Sequence, residues 1–346
     1  MFTKLLAVAV LAAWLNHDAL AEESKAAADS SDQDVATCQL LSRGPGVKTD
    51  DLGQDLSSFL NDFKGRLEKQ DWQGLRTFFH EKSGAKKNIG DQIDAILRNR
   101  YQKPWDFSIF RVYEINDSEY RKKLYDCPDL KFQKVISRFG FTKQYFVIMQ
   151  LMGNNELGRI LFHVAPNKNT KLKIIGLHLQ QWSHLGKDWQ RWSEIGNEHL
   201  EKKQETNAFL AYSTAHKLLE GGDFIHYQFR PEIAAEKDKI FSKESFLDKV
   251  VTSASNSNIV YAGTLLHQEG TGIFIRVAIS KEFSSEDLIE QCRVIGQKLL
   301  KGGLIYSSTG GLKCNYIPKG SSPEKDSKIG GYYLSVKDIL NVKPKK

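Results

Sequence analysis

The chain has 346 residues, and 49 Lys and Arg against 42 Asp and Glu give a formal net charge of +7. An aromatic content of 11% excludes a disordered chain, and the length suffices for two domains of ordinary size. The cationic excess is first a solubility feature; it also admits an anionic envelope polymer or another envelope protein as partner, while the absence of basic runs interleaved with aromatics argues against nucleic acid.

Behind Lys4, residues Leu5 to Leu15 form an apolar run that ends in Asn16-His17-Asp18 and then Ala19-Leu20-Ala21. The run is too short to cross a bilayer, which takes roughly 20 apolar residues. With a small-x-small end it predicts a signal peptide over 1–21, cut after Ala21, and an exported protein, periplasmic or extracellular. No later segment is long and apolar enough to span a membrane. Lys4 and Asp18 are the only charges removed, so the mature chain keeps +7.

Residues 22–50, rich in Ala, Ser, Asp and Gly, read as a flexible arm pinned at Cys38. All four cysteines, Cys38, Cys127, Cys292 and Cys314, follow the cut, as expected for disulfides in an oxidising compartment. Of three connectivities, the order along the chain favours Cys38–Cys127 and Cys292–Cys314; buried free thiols are the alternative.

Asp50 and Asp51 offer caps for a helix whose Leu52, Leu56, Phe59, Leu60, Phe63 and Leu67 recur at three and four. Asp71 caps a short helix with Trp72, Leu75, Phe78 and Phe79. Ile89, Ile93, Ile96 and Leu97 mark a third, which Pro104 ends. The period then changes to two: Phe107 to Ile115, Tyr145–Met152, Gly158–Ala165 and Lys171–Gln180 read as strands joined by turn residues. Residues 51–185 therefore read as an α+β domain, helices packed on a curved antiparallel sheet.

The helix from Leu52 to Lys69, the Asp71-Trp72 break, Leu75 to Phe79 and the strands from Arg111 to Gln180 resemble the nuclear-transport-factor-two-like, cystatin-like cone superfamily, over roughly residues 50–185. The resemblance implies a cavity between sheet and helices and no particular reaction, since that superfamily holds both enzymes and binding modules.

Residues 186–222 read as a helical hairpin. Trp192, Ile195, Gly196, His199, Ala208, Tyr212 and Ala215 follow tetratricopeptide spacing, but no second copy exists and Glu220 stands where that pattern has Pro. A second, smaller α+β domain spans 223–342, before the basic tail 343–346. Its signals are a strand over Phe224–Phe229, a Ser242 cap, a hairpin of Asn258–His267 with Gly272–Ser280, and a Ser284/Asp287 capping box. The capped helix ends at Gly302-Gly303, and strands follow near Leu304–Ser308, Leu312–Ile317 and Tyr332–Val336.

Nucleophile elbows, Walker loops and dinucleotide fingerprints are absent, so no cofactor is expected. No histidine spacing suits a metal, and none is expected. The candidates for catalysis are Asp71 with His163 or His178, a carboxylate holding an imidazole as base; capping is the plainer role of Asp71. Trp182, Trp189 and Trp192 are candidates for binding a glycan ring or partner, or else pack the hairpin. The sequence reading is a non-catalytic ligand- or partner-binding envelope module; the alternative is a small-molecule or cell-wall-directed hydrolase or isomerase using the Asp/His pair.

Overall fold

The computed structural model describes residues 37–43, 52–80, 89–101, 103–117, 123–137, 141–153, 156–267, 270–280, 283–305, 310–322 and 329–341. Residues 1–21, expected to be a signal peptide, most of the expected arm and the basic tail lie outside them. The described residues are α+β, and fall into two compact units. Of the described residues, the first holds 37–186 and takes back Leu219–Phe229; the second holds Lys187–Leu218 and 230–341.

In the first unit, α1 (Gln54–Glu68) buries Leu56, Leu60, Phe63 and Leu67, one face of the helix as the spacing predicts. Asp71 then caps α2 (Trp72–Leu75), its carboxylate accepting from Gly74 N at 2.8 Å. A third helix, α3 (Ile89–Arg100), completes this layer. The helices lie on a five-stranded antiparallel sheet of order β1-β2-β5-β6-β7: Thr37–Arg43, Trp105–Asn116, Lys143–Gly153, Glu156–Pro166 and Leu172–Gln181. Register shifts at Leu40/Ser42, Ile109/Arg111 and His163/Val164 bend it.

Alternate residues of β6 part between two faces. Ile160, Phe162 and Val164 join Phe63, Leu67, Leu75 and Leu97 in the core under the helices. Arg159, Leu161 and His163 point the other way, beneath a second sheet of β3 (Lys123–Tyr125), β4 (Gln133–Ser137) and β8 (Ile225–Tyr227). The strand expected over Phe224–Phe229 is thus a short one, and it closes the first unit instead of opening the second.

Residues 37–43 were expected to belong to a flexible arm. They form β1, paired antiparallel with β2 and tied by the Cys38–Cys127 disulfide. The pairing partner lies 77 residues downstream in the register Cys38↔Ile115, so no local pattern announces it.

The second unit begins with the hairpin of α4 (Trp189–Glu201) and α5 (Glu205–Leu218). Gly196 of α4 lies under Tyr212 of α5: a Cβ there would stand 2.8 Å from the ring, and the Tyr212 hydroxyl donates to Asn197 Oδ1 at 2.5 Å. Residues 206–215 of α5 are buried throughout, so its polar groups need partners; Thr214 Oγ1 bonds Leu210 O at 2.8 Å and Thr271 Oγ1 at 3.0 Å. Two helices follow, α6 (Arg230–Ile240) and α7 (Lys243–Ala254), the latter capped by Ser242. No apolar periodicity announces α6, because it buries only Ile233; Pro231 in its first turn is compatible with a helix start.

The remaining elements form a sheet of order β12-β11-β10-β9: β9 (Ile259–His267), β10 (Gly270–Ile279), β11 (Leu312–Pro318) and β12 (Gly330–Leu334). The β10/β11 pair is parallel, which a hairpin cannot join; α8 (Ser285–Lys301) is the crossover. The Ser284/Asp287 capping box starts α8, and the Cys292–Cys314 disulfide pins it to β11. A short α9 (Val336–Leu340) follows β12. Leu304 and Ile305, expected in a strand, are buried in a turn after α8. Among the described residues no helix is long and apolar enough to cross a membrane.

Candidate functional site

His163 and His178 face the same side of the first sheet, offset by one step of the β6/β7 ladder, where His163 opposes Gly176 and His178 opposes Leu161. The missing side chain at Gly176 makes room for Phe224, whose ring stacks against both imidazoles at 5.5 and 6.0 Å. His163 Nε2 donates to Ile136 O at 3.1 Å, and His178 Nε2 donates to Glu220 O at 3.0 Å. Burial pushes the His163 pKa down to about 4, and burial likewise lowers that of His178, against the backbone carbonyl that raises it. Gly222, with φ of 59°, lies so close to His178 that a Cβ would come within 2.9 Å of Nδ1.

Asp71 is not brought to them. It belongs to the helical layer on the opposite face of the sheet, where it caps α2 and pairs with Arg66. The Gly74 N–H and then the Arg66 guanidinium hold its carboxyl below the usual range. The interior between helices and sheet is filled by apolar side chains, among them Phe63, Phe162 and Ile174. Asp71 is therefore not the carboxylate that would orient either histidine as a base; each donates through Nε2 to a backbone carbonyl, and the carboxylates that bear on His178 are those of Glu220 and Asp223.

The three tryptophans divide between the units. Trp182 follows β7 in the first, with the Arg159 guanidinium 3.3 Å from its ring centroid. Trp189 and Trp192 start α4 in the second; Trp192 is buried, with Lys187 Nζ 5.9 Å from its ring. Among the described residues no group of three His, Cys, Asp or Glu is placed to hold a metal.

The arrangement with ligand-binding chemistry lies in the second unit and was not read from the sequence. A pocket of about 200 Å³ opens between the C-terminal end of α5, the α6–α7 junction and β9. Phe209, Phe241, Phe246 and Tyr261 form its apolar wall, and His216, Lys217, Lys237 and Lys243 its polar one. No carboxylate lines it. Lys217 Nζ donates to Thr264 O, Lys237 pairs with Asp238 at 3.0 Å, and Lys243 Nζ sits 5.6 Å from the Tyr261 ring.

Tyr261 also belongs to the sheet face turned away from the Ile273, Ile275 and Cys314 core. Register places Phe274, Arg276, Lys313 and Tyr333 on that same face, with Arg276 5.7 Å from both the Tyr261 and Phe274 rings. The pocket thus opens onto aromatic and basic side chains. Its lysines are 26 residues apart in sequence, from 217 to 243, and only the packing of α5, α6 and α7 brings them together.

No protein-family model and no curated protein matches the chain. Among solved structures, ActVI-ORFA from Streptomyces coelicolor aligns over 37% of this chain and 92% of its own, at 11% identity and a TM-score of 0.18. So loose a superposition carries no argument about fold or activity.

Proposed function

We propose that the protein is a non-catalytic binding module for an anionic ligand, and that the lysine-rimmed pocket of the second unit is its site. The observation that carries this reading is the pocket's composition: four basic side chains and four aromatic ones, with no acid among them. Aromatic walls favour a ring or apolar body, and the lysines favour a charged end. A volume of about 200 Å³ is below the roughly 300–1,000 Å³ of pockets for drug-sized ligands. It suits one ring with its acidic group, either free or as the end of an anionic envelope polymer.

The first unit, on this reading, is a cone of the nuclear-transport-factor-two-like kind whose interior has been given over to packing. Its filled apolar core supports a structural role. Export through a cleaved signal peptide completes the reading, and the two disulfides support an oxidising compartment.

The test is calorimetric titration of the full chain with phenyl phosphate, and with benzyl alcohol as its uncharged counterpart. Phenyl phosphate should bind and benzyl alcohol should not. Lys237→Gln and Lys243→Gln should each weaken binding about fivefold, the effect of roughly 1 kcal/mol for a partly solvated ion pair. Equal binding by the double variant would remove the pocket from the function.

A further inference from the structure

Among its described residues, the first unit contains a buried cation with no carboxylate bonded to it. Arg159, on β6, is only 7% exposed. Its guanidinium lies against the Trp182 ring and bonds the Tyr227 phenol, whose hydroxyl donates to Gln180 Oε1 at 2.8 Å. Nε and Nη1 have no hydrogen-bond partner among the described residues. The titratable groups that bear on it most are the phenols of Tyr227 and Tyr113 and the like-charged Arg111. Glu156, on the same strand, is engaged elsewhere: it accepts from Leu185 N at 2.5 Å and Ser183 Oγ at 3.1 Å.

A second orphan faces the same interlayer space. Gln133 opposes Tyr227 in the β4/β8 ladder, so the two side chains share a face, and Tyr227 reaches the first sheet from it. Gln133 Oε1 is buried without a partner. Amide oxygen and nitrogen exchange by a half-turn, which lets the side chain present its NH₂. A buried guanidinium without an anion costs several kcal/mol, and orphaned donors add to that cost.

We propose that this is an oxyanion site: a carboxylate or phosphate group enters beside Trp182, lies in the plane of the guanidinium and accepts from Arg159 Nε–H, with the Gln133 amide as a further donor. The Trp182 ring occupies one face of the guanidinium, so the anion approaches its edge. This is charge-assisted recognition by donors held in place before the ligand arrives.

The experiment follows the Arg159 Nε–H resonance in nitrogen–proton correlation spectra of the full chain. The background is Lys237→Gln/Lys243→Gln, so that the pocket of the second unit does not compete. Assignment is by loss of the signal in Arg159→Gln, or in Arg159→Lys if the former fails to fold. Sodium acetate and sodium phosphate are titrated separately at ionic strength matched with chloride. A saturable shift with acetate, phosphate or both, absent with chloride, supports the site and names its ligand class. A resonance that stays in place with both anions overturns it, as does a shift of the same size with chloride. Failure of phenyl phosphate at the lysine pocket leaves this readout unaffected, because the signal belongs to Arg159 alone.

Discussion

The two units treat their polar chemistry in opposite ways. The first closes a second sheet over His163 and Arg159 and commits His163 Nε2, His178 Nε2 and Gln180 Oε1 to its own backbone carbonyls and the Tyr227 phenol. The second sets His216, Lys237 and Lys243 around a pocket and Arg276 on the neighbouring sheet face. Histidines on a sheet therefore lie between packed layers in one unit, while lysines of three different helices line a pocket in the other. Residue type alone does not separate these roles; the layer above the residue does.

The disulfides sharpen the contrast most. Cys38–Cys127 closes a separation of 89 residues, and Cys292–Cys314 one of 22. On chain entropy alone, the first stabilises by about 4.6 kcal/mol and the second by about 3.4 kcal/mol. Cys38→Ala/Cys127→Ala should therefore lower hydrogen-exchange protection in β2 and β5 by more than Cys292→Ala/Cys314→Ala lowers it in β10 and β11. The reverse order would mean that β1 adds little to the first unit.

Acid should separate the units next. The folded pKa of His163 lies near 4, below its ordinary value of about 6.5, so the native state holds the neutral form. Its stabilisation is complete above about pH 6.5 and is lost as pH falls towards 4, about 3 kcal/mol in all. His178, also lowered, acts in the same direction. The first unit should open at mild acidity before the second, and His163→Gln should flatten that pH dependence. Equal acid sensitivity in the variant would place the titrating group elsewhere.

The smallest expected effect belongs to the hairpin. Gly196→Ala places a methyl against Tyr212 and should cost about 1–2 kcal/mol. Exchange protection should fall along α4 and α5 in the second unit and remain unchanged in β5 and β6. A loss shared by both sets would show that the two units unfold together.

Local chemistry was legible in the sequence. Asp71, Ser242 and Ser284 cap helices where the pattern places them, and the periodicity of Leu56, Leu60, Phe63 and Leu67 is the buried face of α1. The cysteine pairing followed from chain order. What escaped was non-local. β1 reads as an arm until Tyr113 lies beside Leu40. β4 has its meaning only when β8 returns after the helical hairpin. Asp71 with His163 or His178 reads as a carboxylate–imidazole pair until the sheet sets Asp71 on one face and both histidines, with Phe224, on the other. The pocket lysines come from separate helices, and no spacing rule gathers them.

The return of Leu219–Phe229 to the first unit bears on how the chain matures. β8 is the edge partner of β4, and Phe224 and Glu220 supply the contacts of both histidines. A nascent chain emerging from the ribosome or a translocation channel cannot finish its first unit at residue 186. It must wait until Phe229 is free, by which time α4 and α5 are already outside and have nothing of their own unit to pack on. During that interval an uncapped β4 edge and the apolar side chains of the hairpin are exposed together, which makes this the window in which a folding helper would be needed. Cutting the chain at any single point cannot separate the two folds.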